Sequence, residues 1–224
     1  MDPDLTLYDN RDSTNALKVR ILLAELGQEA RSIAVPLEGE RRAEYLDLHP
    51  FGLIPTLVDA DLVVTESNTA LRYLAERAGR WDLRGSDPRE RARVDVVLDS
   101  LSLEVRPHLW AVEEFAHYGL DVSEDDRAAR RAGLDRALAG FERLLDPGGP
   151  YALGSTLTIA DCAIAGRFLH IGELSLVAIA TPRLHRVVGS MRRRASYARA
   201  ASTIRGSRTS GRPRGSPCPP PDGS

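Results

Sequence analysis

The chain has 224 residues and a net charge of −2, which allows one or two domains and gives no electrostatic case for a nucleic-acid partner. Hydrophobic residues at 42% suffice for a core, and aromatics at only 5% leave aliphatic side chains to fill it. Cys162 and Cys218 make no CxxC or metal pattern, and no signal peptide or apolar run near the roughly 18 residues of a spanning helix occurs, so we expect a cytoplasmic protein with no metal and no membrane partner.

Leu5 to Tyr8 reads as a strand, followed by a polar turn from Asp9 to Thr14. Leu17, Val19, Leu22, Leu23 and Leu26 then share a helical face, closed by Gly27. Ser32 to Val35 is a second strand stopped by Pro36. Glu40 to Leu48 is a short amphipathic helix stopped by Pro50. Thr56 to Val58 and Leu62 to Val64 are short β-rich runs joined by a turn at Ala60-Asp61, and Asn68 to Gly79 is helical. The order β-α-β-α-β-β-α predicts a small parallel sheet ending in an antiparallel hairpin, as in a thioredoxin-like domain.

Residues 81–87 read as a linker, and Pro88 suits the first turn of a helix. Helical patterns then run on, with Val94, Val97, Leu98, Leu101 and Val105 on one face. Pro107 is expected to kink or end that helix. Ser123 caps a helix carrying Leu134, Leu138, Phe141 and Leu145, ended by Asp146-Pro147-Gly148-Gly149. Thr158-Ile159-Ala160-Asp161 reads as a capping box with Asp in place of Glu, and Cys162 beside it as a small core residue. Pro182 starts a helix through Met191, with a terminal piece near Tyr197 to Ala201. The fold class is therefore α/β plus all-α: an N-terminal thioredoxin-like domain over 1–80 and an all-helical C-terminal domain over 88–201. Residues 202–224, rich in Arg, Pro, Gly and Ser, lack a core pattern and are expected to be disordered. Basic residues are arginine except Lys18, which reads as coding bias.

Phe51 to Ser67 carries the chemistry. Pro55 has no N–H and is a poor central-strand residue. A cis Ile54-Pro55 bond would turn the Ile54 backbone outward to pair with an extended peptide; a trans proline opening a strand is the ordinary alternative. Glu66-Ser67 opens a helix, where free N–H groups and the positive dipole end attract a carboxylate. Ser67 would add a hydroxyl and Glu66 would hold an ammonium, matching an amino-acid zwitterion. A plain helix cap is the alternative.

This run, with Leu71-Arg72-Tyr73-Leu74 after it, resembles the glutathione-binding half of the soluble glutathione S-transferases, and the resemblance extends from Leu5 to about Ala201. It implies glutathione as co-substrate, with Ile54 pairing the cysteinyl unit, Pro55 setting the geometry, and Glu66 and Ser67 holding the γ-glutamyl end. Many members carry a polar or basic residue where this chain has Leu53, so the contact to the glycyl carboxylate is either lost or supplied elsewhere, by Glu40-Arg41-Arg42 or His49, with a solvated helix face as the alternative reading of the two arginines. A free thiol titrates near ~8.5, so such an enzyme must stabilise the thiolate. Ser13, Thr14 and Asn15 at the start of the first helix are the catalytic candidates, Ser13 foremost, with simple capping as the alternative. The second substrate, a small hydrophobic electrophile, would lie between the domains, near His108, Trp110, Phe115 and Tyr118. The resemblance also implies a homodimer, in which Phe51 could insert into the partner. The leading expectation is glutathione transfer. A glutathione-dependent isomerase or disulfide reductase and a non-catalytic relative acting through protein contacts remain open.

Overall fold

The computed structural model describes residues 5–37, 43–116, 119–169 and 181–202. Strand β1 (Leu5–Asp9) leads into helix α1 (Thr14–Leu26), then β2 (Arg31–Ala34), α2 (Ala43–Leu48), β3 (Thr56–Asp59), β4 (Leu62–Val64) and α3 (Ser67–Arg77). The strands form one sheet in the order β2-β1-β3-β4. Only β1 and β2 run parallel; β3 pairs antiparallel with both β1 and β4. The predicted α2 start at Glu40 and the Glu40-Arg41-Arg42 cluster lie outside the described residues. Gly27 ends α1 at φ 64°, in the left-handed region that glycine enters without a Cβ penalty.

Register places the functional loops. Asp9 pairs with Ala34, Tyr8 with Thr56, and Leu57 with Val64. The exits of β1, β2 and β4 and the entry of β3 therefore share one edge of the sheet. The turn before α1, the Pro55 loop and the start of α3 all emerge there.

The second part of the chain is helical: α4 (Trp81–Arg84), α5 (Pro88–Ser100), a π-helical segment (Leu101–Val105), α6 (Arg106–Ala116), α7 (Glu124–Glu142), α8 (Ile159–Phe168), α9 (Pro182–Arg192) and α10 (Ala195–Ser202). The stretch read as linker thus contains a short helix, and Asp87 caps α5 by accepting from the N–H groups of Arg89 and Glu90. Pro107 does not end the helix. Lacking an N–H, it cannot continue the i→i−4 ladder, and the chain widens just before it, where the Arg106 N–H bonds the Leu101 carbonyl. Helix α7 ends at Glu142, ahead of the predicted Asp146-Pro147-Gly148-Gly149 stop; Leu134, Leu138, Phe141 and Leu145 are buried as expected.

Helix α8 is buried along its whole length and packs against α1, α5 and α9. Gly166 lets it approach α1: a Cβ there would lie 2.6 Å from the Lys18 Cβ and 2.8 Å from its backbone nitrogen. Asp161, fully buried, accepts from Thr158 N (2.8 Å), the Thr158 hydroxyl (3.0 Å) and Ala152 N (2.6 Å). Burial pushes its carboxyl up to about 6 against those hydrogen bonds. Cys162 is likewise fully buried, and burial raises its thiol well above the ordinary value, so it is a core residue and not a nucleophile. The fold is a thioredoxin-like N-terminal domain joined to a helical C-terminal domain. The segment from Ser202 on, including Cys218, lies outside the described residues apart from Ser202 itself, the last residue of α10.

Candidate functional site

The β1–α1 turn is held from below. Arg20 pairs with Asp9 at 3.1 Å in a nearly buried contact and also donates to the Arg11 carbonyl. Asn10 donates to the Val35 carbonyl (2.8 Å) and accepts from Asp12 N (2.9 Å), tying the turn to the end of β2. Ser13 caps α1, its Oγ accepting from Ala16 N at 3.2 Å, and is 8% exposed. The capping role read from the sequence is therefore real, and it does not use up the group. A hydroxyl has one donor and two acceptor sites, and the bond from Ala16 leaves the O–H hydrogen to point elsewhere.

In the loop before β3, the Ile54-Pro55 bond is cis. The Tyr45 hydroxyl spans this bond, donating to the Leu53 carbonyl and lying 3.0 Å from Thr56 Oγ1. Ile54 makes no hydrogen bond among the described residues, so its N–H and carbonyl are available to an extended ligand. His49 is 1% exposed; its Nδ1 accepts from Phe51 N, and its Nε2 has no partner among the described residues. Leu53 is 58% exposed and offers only its backbone to this network.

Glu66 occupies the cap position of α3, yet its side chain makes no capping bond. Its carboxylate is exposed, and Ser67, the first helical residue, is buried. The plain-cap explanation thus fails for Glu66. The next residue, Asn68, is the structural link: Lys18 Nζ donates to its Oδ1 at 2.6 Å, and its Nδ2 donates to the Leu98 carbonyl (3.2 Å) and to Ser102 Oγ (3.1 Å). Lys18 is 6% exposed. Burial brings its ammonium down to about 7; Arg106, Arg167 and Arg72 add to the lowering and Glu66 opposes it.

A second contact between the domains at this site runs through Thr14, whose hydroxyl accepts from Arg167 Nη1 at 3.0 Å. Arg167 also meets Glu113, 2% exposed, at 2.5 Å. Asn15 is half-buried, and its side chain makes no hydrogen bond among the described residues. Of the sequence-proposed pocket residues, His108, Trp110 and Phe115 lie on α6. His108 lies under Gly133 of α7, and Phe115 lies beneath the guanidinium groups of Arg127 and Arg131, each 5.5 Å from its ring. Trp110 is 47% exposed, and Tyr118 lies outside the described residues. The α6 residue that reaches the first domain's helix, through Arg167, is Glu113. Sequence reasoning missed Lys18, Asn68, Glu113 and Arg167. Only Lys18 carried a visible mark, as the one lysine among 30 basic residues.

Residues 3–76 match the family model for the glutathione S-transferase N-terminal domain, and residues 124–171 the one for the glutathione S-transferase C-terminal domain. A maleylacetoacetate isomerase from Rhizobium meliloti is 31% identical over 175 residues, 73% of this chain and 80% of that enzyme. Glutathione S-transferase GstB from Escherichia coli K12 is 30% identical over 195 residues, 81% of this chain and 90% of that enzyme. Among solved structures, a glutathione transferase family member from Pseudomonas fluorescens with two glutathione bound superposes with a TM-score of 0.78 at 24% identity, over 88% of this chain and 92% of that one.

Proposed function

Because the chain belongs to the glutathione S-transferase family, we propose that it is a homodimeric glutathione transferase conjugating the glutathione thiolate to small hydrophobic electrophiles. The observation that carries this reading is the set of unused polar groups at one sheet edge: the Ile54 backbone, the uncommitted Glu66 carboxylate and the Ser13 hydroxyl hydrogen. The peptide would extend along Ile54, with its ammonium on Glu66 and its γ-glutamyl carboxylate at Ser67 and the start of α3. The thiol proton leaves to solvent, and the Ser13 O–H donates to the sulfur. The bond from Ala16 N to Ser13 Oγ polarises that hydroxyl and strengthens it as a donor. The α1 dipole adds positive potential at the same point. Sulfur then bonds to the electrophilic carbon and the leaving group departs with its electron pair.

The R. meliloti relative supports a second reading that shares the first step. In an isomerase the thiolate adds to a carbon–carbon double bond, the adduct rotates, and the thiolate is expelled. Glutathione is then unchanged at the end, whereas a transferase consumes one molecule per turnover.

The test is calorimetric titration of glutathione into the wild type, Glu66→Ala and Ser13→Ala. We expect binding by the wild type, loss in Glu66→Ala and retention in Ser13→Ala. Failure of the wild type to bind overturns the reading.

A further inference from the structure

We propose that Lys18 is the positioning residue of the glutathione site, fixing the start of α3 through Asn68 and taking up a proton when the peptide's carboxylate seats there. The inference rests on the glutathione reading given above.

The geometry is that of a keystone. Lys18 sits one helical turn after Thr14, on the same face of α1. Its stem runs beside Gly166 of α8, where there is no room for a side chain. Its Nζ ends on Asn68 Oδ1 at 2.6 Å. Asn68 is the second residue of α3, and its amide reaches both Leu98 at the end of α5 and Ser102 in the π-helical segment. One side chain thus links α1 and, through Asn68, the helix start at Glu66-Ser67 and the second domain. Ser102 lies within the widened turn at Leu101–Val105.

Among the described residues, three guanidinium groups and one carboxylate act on Lys18. From α3 come Glu66 and Arg72, from the start of α6 Arg106, and from α8 Arg167. Arg72 is neutralised by Asp95 and Asp99 of α5, and Arg167 by Glu113 of α6. Burial among these cations brings the ammonium near neutrality, so at pH 7.5 much of the free protein holds Lys18 as the amine. The ligand's carboxylate at buried Ser67 arrives one residue from Asn68, on which Lys18 ends, whereas its ammonium is held out on the exposed Glu66 side chain, so the nearer negative charge favours the Lys18 ammonium. The amine lone pair then takes a proton from solvent, and the Asn68 contact becomes charge-assisted and stronger. Arginine could not respond in this way, because its guanidinium stays charged.

S-methylglutathione tests the idea, since it has no thiol proton to release. Its binding is measured by calorimetry between pH 6.5 and 8 in two buffers of unlike ionisation enthalpy. We expect the wild type to take up roughly half a proton at pH 7.5 and to bind about fivefold more weakly at pH 8 than at pH 6.5. Lys18→Arg should bind with flat affinity and no proton uptake. Lys18→Met keeps the stem packing and should bind about tenfold more weakly, also without uptake. Binding by the wild type without proton uptake overturns the proposal alone, as does a Lys18→Arg variant with the wild-type pH profile. Should Lys18→Met fail to fold, the wild type and Lys18→Arg decide it. Absence of wild-type binding to both S-methylglutathione and glutathione overturns the glutathione reading and this inference together.

Discussion

The Thr14 hydroxyl accepts a 3.0 Å hydrogen bond from Arg167, 153 residues along the chain. Arg167 reaches it while paired to a Glu113 that is only 2% exposed. The triad therefore joins the first helix of the site to the second domain. This contact ties Thr14 to the second domain, whereas Ser13 accepts from Ala16 N within its own helix. Arg167→Met would strand a buried carboxylate and should cost about 3–5 kcal/mol. The double variant Arg167→Met/Glu113→Gln should recover most of that. Urea unfolding of the three proteins checks it; equal stabilities would mean the pair is solvated.

Ser13→Ala should act on two observables. Loss of the cap to Ala16 costs about 1 kcal/mol of stability. Loss of the donor to sulfur should lower kcat/KM about 10²-fold. It should also shift the alkaline rise of the pH–rate profile upward, because the thiolate loses the hydrogen bond that favours its charged form. Thr14→Val should leave that profile in place. An unchanged profile in Ser13→Ala would assign the thiol to another group, with Asn15 next to be tested.

Glu66→Ala separates binding from folding at the neighbouring helix. The Glu66 side chain makes no capping bond, so its removal should change stability by less than about 0.5 kcal/mol. Glutathione affinity should nevertheless fall at least tenfold, since an ammonium loses its counter-ion. A drop in stability equal to the drop in affinity would return Glu66 to the role of a plain structural residue.

The fold was legible in the sequence because short-range rules governed its punctuation. Gly27, Asp87, Ser123, Asp161 and Pro182 each act where their chemistry demands, as caps or first-turn residues. The Pro55 loop and the Glu66-Ser67 helix start were marked by the same punctuation, but their reading as a binding site came from the family resemblance, since local rules alone favour a trans proline and a plain cap. What escaped was long-range. Thr14 meets Arg167 across 153 positions and Lys18 meets Asn68 across 50, and no local pattern marks such partners. The second-substrate candidates show the same limit of local patterns: aromatic spacing locates a helix face but not the neighbour it meets, and His108 and Phe115 meet α7.

Lys18 also makes a prediction about stability. Its unfolded value near 10.5 falls to about 7 in the fold, so between these values the unfolded chain binds the extra proton. Stability contributed at this site therefore rises with pH across that window and is lost as pH falls towards 7. Relative to Lys18→Met, the wild type should gain stability between pH 7 and 9, by no more than about 1.4 kcal/mol per pH unit. Chemical denaturation at pH 7, 8 and 9 measures the difference. A constant gap would show that Lys18 keeps its charge in the fold.

Phe51 tests the homodimer. It is 79% exposed, edge-on to the His49 ring, and its backbone N–H donates to His49 Nδ1. Leu62 and Val63 on β4 are 43% and 38% exposed, and Val96 and Leu103 on the second domain are 50% and 70% exposed. Apolar side chains shown to water at this density on both domains favour a self-complementary contact. Burying one phenylalanine yields about 1.5–3 kcal/mol, and a two-fold dimer buries two. Phe51→Ser should therefore raise the dimer dissociation constant at least 10²-fold, with no loss of monomer stability because the ring is already in water. Sedimentation velocity across a dilution series reads the result. A wild type that sediments as a monomer at every concentration, or a variant that stays dimeric, would remove Phe51 from the interface.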